Sequence, residues 1–216
     1  MIDGMKLKVC GLRDNVQEVA KLCPDYVGFI FYKKSPRYVG DRFTAPKMSS
    51  TIKKVGVFVN ESIENVIEIV RKYQLDYVQL HGEESVQYCR ECQKEGFGVI
   101  KAFGIGEGFD FKQLTPFKSV VDFFLFDTKT ASYGGSGKTF NWKLLQNYDL
   151  KKEYFLSGGI SLNNLSELGK IDMEKVHALD VNSRFEIEPG LKDPKMILQF
   201  QSELKTHQAA IIEKSK

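Results

Sequence analysis

Two side chains in this 216-residue sequence could carry out proton transfer: a thiol and a carboxyl group, each at the end of an apolar run. Cys10 follows Lys8 by two positions, so in a strand both side chains share a face, and a nearby ammonium lowers the pKa of a thiol. Asp127 ends another apolar run, where burial would favour the protonated form that a general acid needs. The alternatives are a packing role for Cys10 and a helix-cap or Lys8-pairing role for Asp127, with Asp180 competing for that pairing.

Glycine-rich or small polar segments follow three late apolar runs and are suited to binding a phosphate group. Backbone N–H groups approach an anion closely where no Cβ intervenes, and a helix N-terminus adds positive potential. Each segment alone indicates little, because glycine is common in turns, but their recurrence after strands predicts a phosphorylated ligand. The candidate residues are Gly135, Gly137, Gly158, Gly159, Asn182 and Ser183.

Two further side chains follow earlier runs. Arg37, in a basic loop, could hold a carboxylate with its two-pronged guanidinium or could be solvated. His81 could be catalytic or could support another residue by hydrogen bonding. Cys89 and Cys92 form a C-x-x-C pair, but they lie inside an amphipathic segment and have no second pair, so neither a redox nor a zinc site is predicted.

Composition limits the classes of function. Lys and Arg total 31 against 28 Asp and Glu, a net charge of +3, which argues against a nucleic-acid-binding protein. The 42% hydrophobic content predicts a packed core, and no apolar run approaches the roughly 18 residues of a membrane span. We see no signal peptide, and four cysteines are too few for a disulfide scaffold, so a reduced, cytoplasmic protein is expected.

Apolar, β-branched and aromatic runs alternate with helical segments along the whole chain, which is typical of a parallel sheet covered by helices. One such segment, from Ser62 to Tyr73, has apolar residues at i, i+3, i+4 and i+7. Eight repeats in this length predict a single-domain (β/α)8 TIM barrel over residues 1–216, with a polar, frayed tail from about 206; an open doubly wound sheet is the alternative. The predicted strands are 7–10, 26–31, 55–59, 77–81, 99–103, 121–126, 154–157 and 177–181.

Several short motifs, in order from about residue 8 to residue 193, resemble the phosphoribosylanthranilate isomerase family. They are Lys8-Val9-Cys10-Gly11, Ser35-Pro36-Arg37-Tyr38, Gly56-Val57-Phe58-Val59-Asn60, Gln79-Leu80-His81-Gly82-Glu83, Phe126-Asp127-Thr128, Gly134-Gly135-Ser136-Gly137, Leu156-Ser157-Gly158-Gly159-Ile160 and Glu188-Pro189-Gly190-Leu191-Lys192-Asp193. No single motif decides the matter, but the ordered set is specific.

The resemblance implies a step of tryptophan biosynthesis, the Amadori rearrangement of N-(5-phosphoribosyl)anthranilate to 1-(2-carboxyphenylamino)-1-deoxyribulose 5-phosphate. It implies that Asp127 is the general acid, Cys10 the general base, and Arg37 the residue that holds the anthranilate carboxylate. The glycine segments and Ser183 would bind the phosphate. The reaction only moves protons, so neither a cofactor nor a metal is expected. The partner is this small phosphorylated substrate, and the protein would be a monomer or a homodimer.

The chain departs from the family pattern after the eighth run, where Asn182-Ser183-Arg184 stands in place of the usual Ser-Ser-Gly. Arg184 could supply a direct charge to the phosphate or point to solvent. Two other functions stay open: a different sugar-phosphate isomerase or epimerase of the same fold, and a non-catalytic phosphate-binding barrel. The presence of both Cys10 and Asp127 argues against the second, because binding alone needs neither.

Overall fold

Eight parallel strands close into a barrel in sequence order in the computed structural model, which describes residues 5–129 and 139–214. The barrel closes where the first strand pairs with the eighth, with Lys8 opposite Asp180. This closure excludes the open doubly wound sheet. The strands are β1 Lys6–Val9, β2 Tyr26–Ile30, β3 Lys53–Phe58, β4 Tyr77–Leu80, β5 Gly98–Ile105, β6 Phe123–Thr128, β7 Tyr154–Leu156 and β8 Val176–Val181.

All eight predicted strands are confirmed, and their ends differ from the predicted ends by at most two residues. The differences arise because pairing with a neighbour, and not hydrophobicity, determines where a strand ends. Strand β6, for example, runs to Thr128 because Asp127 and Thr128 pair with Gly104 and Ile105 of β5.

The expectation of a helix after every strand is only partly correct. The α-helices are α1 Val16–Ala20, α2 Ile63–Tyr73, α3 Val86–Lys94 and α4 Pro194–Lys214, and β9 Glu186–Glu188 with β10 Leu191–Lys192 forms a small hairpin after β8. The connection 31–52 contains no helix, since Pro36, Gly40 and Pro46 interrupt it. Short 3₁₀ helices occupy Phe111–Phe117, Trp142–Asn147, Leu162–Lys170, Met173–Lys175 and Ser183–Phe185.

Helix boundaries follow local chemistry where the signal is strong. Helix α2 starts after Ser62, whose side chain accepts a hydrogen bond from the backbone N–H of Asn65 at 3.2 Å, and it ends at Gln74 in the left-handed conformation. Helix α4 continues to Lys214, which includes most of the tail that begins at about residue 206. No glycine or proline follows Pro194 in this helix to interrupt it.

Two hydrophobic layers hold the barrel together. One lies between the strands and the outer elements and includes Cys89 and Cys92 of α3, whose pKa values burial raises to about 11 and about 12, as expected for packed thiols. The other fills the barrel interior, with Phe155 and Tyr26 near the amino ends of the strands. Among the described residues, no helix has the length and apolar character needed to cross a membrane.

Candidate active site

The carboxyl ends of the strands bring the predicted acid–base residues to one mouth of the barrel. Cys10 directly follows β1, His81 directly follows β4, and Asp127 is the penultimate residue of β6. A cavity of about 810 Å³ opens beside His81 and Asp127. In TIM-barrel enzymes the active site lies at this face of the barrel, so the predicted acid–base residues lie where catalysis is possible.

Cys10 lies below the surface of this mouth. Its thiol is buried among Ile30 and Val57, and a Cβ added at Gly28 would lie 2.7 Å from Sγ, so glycine is needed at that position. Burial raises the pKa of the Cys10 thiol, although the ammonium groups of Lys8 and Lys192 act in the opposite direction. The expectation that Lys8 would lower this pKa below its usual value is therefore wrong, because loss of hydration outweighs the charge.

Lys8 is fully buried in the interior of the barrel and is held by two strands. Its Nζ donates hydrogen bonds to both carboxylate oxygens of Asp180 at 3.0 Å and to Oε1 of Gln79 at 2.6 Å. Burial alone would lower the pKa of Lys8, but the Asp180 carboxylate raises it, so the ammonium form persists. The partner of Lys8 is thus Asp180, which leaves Asp127 available for another role.

Asp127 is held by its own strand end and by a histidine. Its Oδ1 accepts a hydrogen bond from the backbone N–H of Thr128 at 2.8 Å, and its Oδ2 lies 3.4 Å from Nε2 of His81. Nδ1 of His81 in turn lies 2.8 Å from Nε2 of Gln79. Gln79 was not among the predicted site residues, although its i, i+2 spacing to His81 indicates that the two side chains share a face.

Arg37 already binds a carboxylate that belongs to the chain itself. Nε and Nη2 of Arg37 donate to Glu186 at 2.7–3.0 Å, and Glu186 also accepts from Nζ of Lys192 at 2.7 Å. Although burial would raise it, these two cations lower the pKa of Glu186. The fork that we expected to face substrate is therefore used internally. Sequence reasoning missed Glu186 as its partner, because 149 positions separate the two residues.

The structure places part of the predicted phosphate site around the end of β7. Gly158 has φ +90°, and a Cβ there would lie 2.9 Å from the backbone nitrogen of Thr128 and 3.2 Å from Oδ1 of Asp127, so glycine is needed at this position. Gly159 also has a positive φ, of +68°, and its carbonyl accepts from Nδ2 of Asn164 at 2.9 Å. Gly135 and Gly137 lie outside the described residues.

The segment after β8 is arranged differently from a simple anion-binding loop. Oδ1 of Asn182 accepts a hydrogen bond from Nζ of Lys192 at 2.7 Å, and a Cβ at Gly11 would lie 2.6 Å from the same oxygen. Ser183 and Arg184 form the 3₁₀ helix that follows, and the Arg184 side chain is exposed. Asn182 therefore positions Lys192, a residue whose pKa burial lowers to about 8.

Known proteins are similar to this chain in sequence. The model of the N-(5'-phosphoribosyl)anthranilate (PRA) isomerase family matches residues 7–203. N-(5'-phosphoribosyl)anthranilate isomerase of Parabacteroides distasonis is 44% identical over 202 residues, with 91% of each chain covered.

Solved structures agree with this match. The crystal structure of phosphoribosyl anthranilate isomerase from Thermotoga maritima superposes with a TM-score of 0.82 at 35% identity, covering 94% of this chain and 99% of that one. Another isomerase structure, in complex with reduced 1-(o-carboxyphenylamino)-1-deoxyribulose 5-phosphate, has a TM-score of 0.75 at 30% identity and the same coverage.

Proposed function

Because the chain belongs to the phosphoribosylanthranilate isomerase family, we propose that it catalyses the Amadori rearrangement of N-(5'-phosphoribosyl)anthranilate in tryptophan biosynthesis, with Asp127 as general acid and Cys10 as general base. One observation carries the assignment of roles. A buried thiol after β1 and a half-buried carboxyl on β6 are the proton-transfer groups that closure of the barrel brings to one mouth.

The proposed reaction consists of proton movements. Asp127 gives its proton to the ring oxygen of the ribose, and the C1–O bond breaks as the nitrogen lone pair forms the iminium. The Cys10 thiolate then takes the proton from C2, and the electrons of that C–H bond form an enolamine. Tautomerisation of the enolamine gives the ketone, so no electrons leave or enter the substrate. General acid–base groups suffice for such a sequence.

The thiol needs help to act as a base, since burial raises its pKa. Lys8 and Lys192 supply positive charge close to Cys10 and favour the thiolate. Lys8 keeps that charge because Asp180 holds it, and Lys192 keeps it because it is bonded to Glu186. The two ion pairs thus support Cys10 without taking part in proton transfer themselves.

We assign Arg37 to the anthranilate carboxylate. Its Nε and Nη2 are bonded to Glu186, whereas Nη1 donates no hydrogen bond to any of the described residues. Glu186 therefore fixes the plane of the guanidinium and leaves Nη1 to meet a second carboxylate. We assign the phosphate to Gly158, Gly159 and Ser183, which lie on the loops after β7 and β8, where barrels of this type bind phosphate.

A turnover assay tests the proposed function. Purified protein is mixed with freshly prepared phosphoribosylanthranilate, and the decay of the substrate's fluorescence is followed. The same mixture without protein serves as the blank. We expect protein-dependent decay that saturates with substrate and yields the ketone product. Binding without decay would instead support a non-catalytic phosphate-binding barrel, and neither binding nor decay would point to another sugar phosphate as the substrate.

A further inference from the structure

The side-chain amide of Gln79 lies between Lys8 and His81 and contacts both. Its surroundings point to a role in proton transfer. We propose that Gln79 is a positioning residue that keeps His81 in one neutral tautomer, so that Asp127 does not face a cation and can carry the proton it donates. This inference rests on the proposed function of Asp127. It adds a third residue, Gln79, on which the protonated form of the Asp127 carboxyl depends.

The orientation of the Gln79 amide follows from Lys8. An ammonium group has only donors, so the atom of Gln79 that lies 2.6 Å from Nζ of Lys8 must be the carbonyl oxygen. The amide nitrogen is then turned towards His81, 2.8 Å from Nδ1. Since Lys8 is itself held by both oxygens of Asp180, the amide cannot reverse without leaving a buried ammonium facing an NH2 group.

The tautomer of His81 follows from the amide. A nitrogen that faces an NH2 donor must accept, so Nδ1 of His81 carries no proton and Nε2 does. Nε2–H points at Oδ2 of Asp127, 3.4 Å away. A second proton on the ring would have to enter at Nδ1, where it would meet the hydrogens of the Gln79 amide. The neutral ring is therefore the form that this hydrogen-bond chain accommodates.

The charges around His81 show why such a control is useful. Asp127 on β6 and Asp180 on β8 place negative charge near His81, and Lys8 on β1 is paired with Asp180. The buried pair Lys101 and Glu84, which lines the same cavity, has both signs. An imidazolium would hold Asp127 as a carboxylate, and a carboxylate has no proton to donate to the ribose ring oxygen.

The first test measures the ring directly in the unaltered protein. The chain has three histidines, so ¹⁵N-histidine spectra can be assigned with single substitutions of His177 and His207. At pH 7, without substrate, we expect Nδ1 of His81 to show the shift of an unprotonated nitrogen and Nε2 that of a protonated one. A ring protonated at Nδ1, alone or together with Nε2, would overturn the proposal whether or not the protein turns over substrate.

The second test replaces the NH2 group of Gln79, which donates to His81, and keeps the oxygen that accepts from Lys8. Gln79→Glu retains an oxygen for Lys8 but presents a carboxylate to Nδ1, so we expect His81 to become protonated at both nitrogens. Its kcat should fall about tenfold or more while KM changes less than about threefold, because Gln79 contacts the groups around proton transfer and not the residues assigned to substrate binding. Gln93→Glu, on the exposed face of α3, adds the same charge elsewhere and should change neither.

A double-mutant cycle separates this role from a structural one. In a His81→Asn background no imidazolium can form, so adding Gln79→Glu should lower kcat by less than about threefold. An equal loss from Gln79→Glu with and without His81 would overturn the proposal, because the loss would then not pass through the ring. If the unaltered protein has no activity on phosphoribosylanthranilate, the proposed function fails, while the tautomer measurement still decides the hydrogen-bond chain.

Discussion

The two ends of the barrel interior are built on the same eight strands but from different side chains. At the amino ends, rings pack edge to face: Tyr26 lies 5.1 Å from Phe155, and Phe123 lies 5.4 Å from Phe155, between ring centroids. At the carboxyl ends, the interior holds the buried charges of Lys8 and Asp180. One end excludes water with apolar contacts, and the other keeps polar groups dry by pairing them.

This difference teaches that stability and chemistry are separated along the barrel axis. An apolar ring at the amino end gains free energy from burial and needs no partner. A buried charge at the carboxyl end must be paired or its burial destabilises the fold, and the pairing also fixes its position for reaction. Substitutions at the two ends should therefore alter different measured quantities.

The largest effect is expected at the thiol. Cys10→Ala should lower kcat by about 10²–10⁴-fold, because it removes the proposed base, and it should leave the free energy of unfolding nearly unchanged. In the unaltered protein kcat should increase with pH through the neutral range, since burial raises the pKa of Cys10 and the thiolate is the active form. Cys23→Ala, at an exposed cysteine, is the matched control. A Cys10→Ala variant that keeps more than about a tenth of the activity would exclude this base.

The carboxyl on β6 should behave in the same way. Asp127→Asn keeps the shape and one oxygen for Thr128 but cannot deliver a proton, so we expect kcat to fall by about 10²-fold or more. Asp149→Asn, at an exposed position, provides the control. Steady-state kinetics with the same fluorescence assay give the answer. Near-normal activity would require another acid, and His81 would be the first to examine.

The opposite result is expected at the aromatic end. Phe155→Ala removes a fully buried ring and should lower the free energy of unfolding by about 3–5 kcal/mol, as for other buried aromatic truncations. Chemical denaturation measures this change, and kcat per folded molecule should stay close to that of the unaltered protein. A Phe155→Ala variant that loses kcat but keeps its stability would contradict the separation of stability and chemistry between the two ends of the barrel.

Smaller effects are expected where the substrate is held. Arg37→Ala should raise KM by about 10- to 150-fold through loss of a charge-assisted contact, without weakening competitive inhibition by inorganic phosphate. Arg184→Gly should weaken phosphate inhibition if Arg184 binds that group, and leave it unchanged or stronger if Arg184 points to solvent. Weaker phosphate inhibition in Arg37→Ala but not in Arg184→Gly would reverse the assignment of the two ends of the substrate.

The smallest effect concerns pH and the aromatic end. Burial lowers the pKa of His177, so the folded protein binds fewer protons there than the unfolded chain does. Stability from this residue is therefore complete above its unfolded pKa of 6.5 and is lost as pH falls below that value. His177→Asn should show a smaller drop in melting temperature between pH 7.5 and pH 5.5 than the unaltered protein. An equal drop would mean that His177 does not contribute to acid sensitivity.

Much of the fold and the location of the site could be predicted from local patterns. The eight strands could be predicted because a parallel strand covered on both faces needs a nearly continuous apolar run. The start of α2 could be predicted because Ser62 caps the helix within its own first turn. The connections after β2 and β5 were not readable in this way, since proline and glycine there replace α-helices by coil and 3₁₀ turns.

The sequence by itself determined the order and approximate positions of the eight strands, and therefore that Cys10, His81 and Asp127 share one mouth. Only the tertiary structure decided which charges pair. Lys8 meets Asp180 across 172 positions and Arg37 meets Glu186 across 149, and nothing local distinguishes those carboxylates from Asp127. Tertiary packing also decided the direction of the Cys10 pKa shift. The cation two residues away is visible in the sequence, but the loss of water that outweighs it arises only when the barrel closes.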